Sequence, residues 1–315
     1  MSTTELSRKI DEAEAEAEGF SCGNLFFHQS MAVLSALLVL CALLCVVVLH
    51  FRLPASQISD FTGYLPFLAA MGYCWWQRRF RLFQACALAC WSCLFSMLLQ
   101  FPMFMASQFH APLEDATFAH LDDLIRMEVP AVMSVAAVHP WARILFDKSY
   151  ALLFPFVVLA AVLPALRFRF TAAKELIVGT AFGTLAGTML FGFFPAVGPW
   201  LPYHFRPNAQ QYDCQTYFLS LRAGALHVID LSRSGFICFP SFHVFLAILA
   251  GVALSSIKPL RFPSILLACL IIISTMTTGW HYAVDVLGGM LLAALSILAA
   301  KAFTRIETRR MQARA

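Results

Sequence analysis

Apolar residues in this 315-residue chain come in unbroken blocks instead of the 3.6- or 2-residue stripes of an amphipathic element. All but one of the blocks are long enough to cross a bilayer, which takes roughly 20 residues as a helix. Backbone polar groups in hydrocarbon must be satisfied within the segment, so the blocks restrict the chain to membrane-embedded helices. With 60% of residues hydrophobic and 13% charged, the composition agrees. The fold class is therefore all-α: a polytopic membrane helical bundle of about eight spans, over 31–50, 61–76, 82–105, 150–166, 176–194, 239–257, 262–278 and 282–300. The second is short and holds Gly63, Pro66 and Gly72, so it fits a re-entrant or tilted segment as well as a crossing.

Lys and Arg near span ends stay cytoplasmic. One alternating set of segments carries 15 of the 22 basic residues, and the opposite set carries Arg52, Arg126, Arg143, Lys148, Arg206, Arg222 and Arg233. Both termini are then cytoplasmic, and His243 and His281 face the extracytoplasmic side. Domain organisation follows: an acidic cytoplasmic tail over 1–30, accessory spans over 31–81, a six-helix core over 82–302, and a basic cytoplasmic tail over 303–315. The acidic run at 11–18 lacks an apolar face and reads as solvated or disordered. The basic tail reads as an anchor to anionic headgroups, not a nucleic-acid site.

Most of the ten cysteines lie in apolar spans and serve as small packing residues. Cys214 and Cys238 fall on the outer side, where a bridge between them and two separate thiols are both open. No C-x-x-C or H-E-x-x-H pattern occurs, so neither a protein-bound metal nor another cofactor is suggested. Gly179, Gly183 and Gly187 recur every four residues, a close helix-packing stripe. Two outer segments are long, 106–149 and 195–238. The first mixes Asp115, Asp122, Asp123 and Glu128 with apolar residues, as interfacial helices do; Asp122 and Asp123 read as a solvated helix face, with a metal or substrate pair as the other reading. His110, His120 and His139 read as interfacial too. Trp75, Trp76, Trp200, Tyr203, Trp280 and Tyr282 occupy span ends, the aromatic-belt positions.

Two short stretches carry chemistry. His281 and Asp285 stand one helical turn apart at the start of the last span, so their side chains share a face. An ionised Asp within an apolar helix costs about 2.5–3.5 kcal/mol and needs a partner. A hydrogen bond from one ring nitrogen of His281 supplies it and leaves the other nitrogen free as a nucleophile. His243 opens another apolar helix behind Pro240 and the helix-capping Ser241, placed to donate a proton to a leaving group. Helix N-termini at both histidines favour a phosphate. Outer-side arginines Arg222, then Arg206, then Arg233 are the available cations for it, with rim or retained-loop charges as the other reading.

Pro240-Ser241-Phe242-His243 and Ser274…His281-x-x-x-Asp285 resemble the second and third motifs of the type 2 phosphatidic acid phosphatase superfamily. Phe239 to His243, Gly279 to Asp285 and Gly198 to Pro202 look most similar to the inositol phosphorylceramide synthase branch and its bacterial relatives. The resemblance implies metal-independent phosphoryl transfer from a lipid phosphate through a phosphohistidine on His281. His243 is then the acid and Asp285 the orienting carboxylate, with Ser241 and Ser274 at the substrate. It also implies a bacterial plasma membrane. The chain departs from the family pattern where Pro199 stands for the first motif's Lys, Phe242 for the second motif's Gly and Thr275 for the third motif's Arg. Hydrolysis, transfer to an alcohol acceptor such as inositol chemistry requires, and a non-catalytic transport or lipid-binding role on the same scaffold all remain open readings.

Overall fold

The structure, a computed structural model, describes residues 26–55, 65–231 and 235–313. The acidic run and Arg233 lie outside the described residues, among which helix dominates; an isolated bridge pairs Arg52 with Val228. In chain order the helices are α1 (Phe26–Val47), α2 (Leu65–Trp76), α3 (Phe80–Leu98), α4 (Gln100–Ala106), α5 (Asp115–Leu124), α6 (Val129–Ala137), α7 (Pro140–Ala151), α8 (Leu153–Leu166), α9 (Phe170–Phe193), α10 (Ala209–Arg222), α11 (Phe242–Ser255), α12 (Arg261–Thr277) and α13 (Ala283–Gln312).

Among the described residues, five elements are long and apolar enough to cross a membrane: α1, α3 with α4, α9, Lys258–Thr277 including α12, and α13. A sixth arises if α7 and α8, bent by 45° at Leu152, count as one. Pro155 accounts for the bend, because it lacks an N–H and its ring collides with the carbonyl four residues back. Five or six of the expected crossings meet that test among the described residues. Helix α2 has 12 residues, and α11 has 14, about 21 Å against a hydrocarbon core of about 30 Å. Exposed Val33, Leu37, Phe154, Phe262, Leu291 and Leu298 put apolar side chains on the outer surface, which fits a multi-pass membrane protein.

Helix α11 is the hub, packed by α8, α9, α12 and α13. The glycine stripe of α9 is what lets two of these neighbours close in. A Cβ on Gly183 would lie 2.3 Å from the Phe245 ring and 2.5 Å from Ser296 Oγ, and one on Gly187 would lie 2.9 Å from Phe242 and Leu292. At the end of the bundle remote from His281, the buried Lys174 and Glu307 pair at 2.6 Å. Glu307 follows Asp285 by 22 residues on one helix, about 33 Å along its axis.

Gly183→Ala should therefore destabilise the bundle by about 1–3 kcal/mol through overpacking. Gly179→Ala, whose Cβ would meet Leu249 at a gentler 3.2 Å, should cost less. Thermal melting in detergent orders the two; equal melting temperatures would contradict the packing.

Candidate active site

The turn between α12 and α13 sets His281. Gly279 adopts φ +72°, a left-handed conformation that ends α12. Its N–H bonds to the Met276 carbonyl and the Trp280 N–H to the Thr275 carbonyl, the paired bonds of a Schellman stop. Helix α10, started by an Asn208–Gln211 capping box, braces the turn: Gln211 Nε2 donates to the Gly279 carbonyl at 3.0 Å. The chain then enters α13 with His281 3% and Asp285 0% exposed.

His281 Nδ1 lies 3.0 Å from the Cys238 carbonyl and 3.3 Å from Asp285 Oδ2. A carbonyl oxygen only accepts, so Nδ1 carries the proton and Nε2 keeps a bare lone pair. Two acceptors thus hold one tautomer. Asp285 Oδ2 also accepts from the Tyr282 N–H at 2.9 Å and the Cys238 thiol at 3.0 Å. Cys238 is a free thiol, which settles the bridge to Cys214 against bonding: its sulfur is spent on the carboxylate.

Helix α11 reaches this turn through backbone contact. The Ser241 N–H donates to the Asp285 carbonyl at 3.0 Å, and a Cβ on Gly289 would sit 2.5 Å from the Ser241 carbonyl oxygen. Only a glycine lets the two main chains meet so closely. The approach brings the His243 and His281 ring centroids to 5.8 Å. Ser241 Oγ caps α11 on the Val244 N–H at 3.4 Å, and Ser274 Oγ donates to the Ile271 carbonyl of its own helix; both are buried.

Two acidic residues of α5 complete the turn. Asp122, 0% exposed, accepts from the Ala283 and Val284 N–H groups at 2.8 and 2.9 Å. Asp115 accepts from the Val197 and Gly198 N–H groups and from Tyr282 Oη at 2.9 Å. Asp122 is thus no solvated residue, whereas its neighbour Asp123 is exposed and bonds Tyr203. The expectation that both helix N-termini offer unpaired N–H groups to phosphate is also corrected: at α13 Asp122 and Asp285 already hold three of them. Tyr282 and Trp200 are buried in protein instead of in an aromatic belt, unlike Trp75 and Trp76, which are exposed. His110, His120 and His139 are exposed.

His243 lines a cavity of about 1390 Å³. Its apolar part is walled by Leu99, Met103, Val157 and Leu246, its polar part by Arg143, Asp147, Arg206, Asn208 and Gln211. Tyr150 stacks on His243 at 4.1 Å and on Trp280 at 5.6 Å, and all three rings line the cavity whereas His281 does not. Of the arginines singled out in the sequence, Arg206 lines this cavity. Arg222 does not: its guanidinium donates to the Ala111 carbonyl at 2.6 Å and lies over the Phe218 ring. Tyr150, Asp115, Asp122, Cys238 and Arg143 belong to no motif. Asp115, Phe118 and Asp122 are nevertheless spaced three, four and seven apart, hence on one helix face, and that spacing was a readable signal.

A family model described as the PAP2 superfamily matches residues 116–299, more than half of the chain. No curated protein and no solved structure matches.

Asp122→Ala strands two buried N–H groups at roughly 1–3 kcal/mol each and should lower the melting temperature by several degrees. Burial pushes the Asp122 carboxyl up to about 6, against the opposing pull of the two N–H groups. Its folded value lies above the unfolded one, so the stability it contributes is complete below the unfolded carboxyl range and is lost as pH rises through about 6. Between about pH 4 and about pH 6 the wild-type melting temperature should fall relative to that of Asp122→Asn, which has no proton to lose. Parallel profiles would contradict this.

Proposed function

Because this chain belongs to the PAP2 superfamily, we propose that its phosphatase- or phosphotransferase-type chemistry on lipid phosphate runs through a phosphohistidine on His281. One observation carries the reading: His281 has its Nδ1 proton fixed by two acceptors, its Nε2 lone pair unclaimed, and a second imidazole 5.8 Å away. Nε2 attacks phosphorus, the bond from phosphorus to the leaving oxygen breaks, and His243 gives that oxygen its proton. The phosphorylated ring is cationic, and Asp285 behind it stabilises the charge, as a triad carboxylate does. Water or an alcohol then attacks phosphorus, the P–N bond breaks, and His243 takes the incoming proton.

The large cavity supports a lipid substrate. Its apolar walls suit acyl chains, while Arg206 and Arg143 at the polar part suit a phosphate. With the α13 N–H groups already taken and the family's other cations replaced, Arg206 is the favoured phosphate contact; Arg222, Arg233, Ser241 and Ser274 fall behind it. By the distribution of Lys and Arg the site opens extracytoplasmically, away from the basic face.

Transfer to an alcohol is a second reading, supported by the burial of His281 behind Tyr150, His243 and Trp280. A phosphoenzyme kept from bulk water survives until an acceptor arrives. The likeness of Phe239 to His243 and Gly279 to Asp285 to inositol phosphorylceramide synthases supports the same reading.

The test is incubation of purified protein with phosphate-labelled phosphatidic acid, with and without myo-inositol or ceramide, following free phosphate, new lipids and acid-labile label on protein. Label should appear on wild type and vanish in His281→Ala; label retained in that variant, or complete inertness of folded protein, would sink the proposal. His243→Ala should lose about 10²–10⁴-fold in rate. Asp285→Asn should cost less than the roughly 10⁴-fold seen where a carboxylate alone holds the tautomer, because the Cys238 carbonyl still holds it here. Tyr150→Ala should raise free phosphate relative to transferred product, and an unchanged ratio would remove the shielding argument.

A further inference from the structure

The Cys238 thiol is used by no step above, yet it stands with His281 and Asp285 in an arrangement that phosphoryl transfer does not require. Cys238 Sγ, His281 Nδ1 and an Asp285 oxygen all lie within 4.8 Å of one another, with Sγ to Oδ2 at 3.0 Å and Nδ1 to Oδ2 at 3.3 Å. A tetrahedral Zn²⁺ with bonds of about 2.0–2.3 Å has ligand-to-ligand edges of roughly 3.3–3.6 Å, so small adjustments suffice. Thiolate, imidazole and carboxylate are all zinc ligands. Asp285 Oδ1, fully buried, has no hydrogen-bond partner among the described residues, and a buried carboxylate oxygen without a donor is costly unless something positive or a proton reaches it. A cavity of about 20 Å³ lined by Cys238 and His281 has room for one water as fourth ligand.

We propose that Cys238, His281 and Asp285 bind a thiophilic divalent cation of the Zn²⁺ class and that binding switches His281 off. As the S–Zn bond forms, the thiol releases its proton to solvent. The cation takes the Nδ1 lone pair, so the proton held there leaves and the neutral ring carries its one proton on Nε2. The lone pair that attacks phosphorus is then gone. Free of metal, the same three groups hold the active tautomer. The inhibitory half rests on His281 as nucleophile; the binding half does not.

Tag-free protein is titrated with Co²⁺, a spectroscopic stand-in for Zn²⁺, and separately assayed with phosphatidic acid across a Zn²⁺ series. Wild type should show a thiolate-to-cobalt charge-transfer band that Zn²⁺ abolishes and that Cys238→Ala and the isosteric Cys238→Ser both lack. Scaled to each variant's own metal-free rate, the half-inhibiting Zn²⁺ concentration should rise by more than the roughly 10-fold that loss of an outer-shell partner costs, and a chelator should restore wild-type activity. No charge-transfer band in folded wild type, or the same half-inhibiting concentration in all three proteins, overturns the site. A band with an undiminished rate overturns the inhibitory half. A band in protein that hydrolyses nothing supports the site and counts against the phosphohistidine reading instead.

Discussion

Everything around His281 depends on how one helix start, that of α13, is held. Three buried carboxylates share the task. Asp122 takes the N–H groups of Ala283 and Val284, Asp285 that of Tyr282, and Asp115 the Tyr282 hydroxyl. An unpaired N–H in such surroundings costs about 1–3 kcal/mol, so the Asp122 bonds strongly constrain where α5 and α13 sit relative to one another, and Asp285 closes the start of α13 from within. His281, one residue before Tyr282, inherits its position from that clamp. The outer segment over 106–149 is therefore part of the site's framework and not a loop laid over it.

The same clamp changes the electrostatics. A helix N-terminus is a natural anion site, and at α13 the anions are the protein's own. Arg206 and Arg143 lie on the cavity side, and Arg143 is shared with Asp147 in an exposed pair at 4.0 Å. Neutral rings surround the histidines: Tyr150 stacks on His243 and on Trp280, and Trp280 meets Trp200 edge-on. A setting of low polarity strengthens the field of each charge within it.

How much of this was legible beforehand differs by physical cause. The helices were readable because lipid demands long apolar blocks, and the His281–Asp285 pairing because i and i+4 meet on any helix. Crossing lengths were less readable, since α11 starts only at its Ser241 cap and α7–α8 bends at a proline that composition does not flag. Asp115 and Asp122 were misread for a definite reason. In water the charged face of an amphipathic helix points outward, but on α5 Leu121 and Leu124 are exposed while both carboxylates turn inward. In a chain with so little polar surface to spare, a carboxylate's best partners are the backbone donors of its own fold. The cation set was the least legible, because Arg206 and Arg222 look alike until a carbonyl claims one of them.

The contact between Gly289 and the Ser241 carbonyl also has a mechanical meaning. Main chain rests on main chain there, so no rotamer change can slide α11 along α13, and the pair behaves as a weld. Tyr150 arrives from the other side, two residues before the break at Leu152, on a helix already creased. Displacement beside His243 is accordingly easier at that crease than at the weld, as a door swings on the jamb that is not nailed shut.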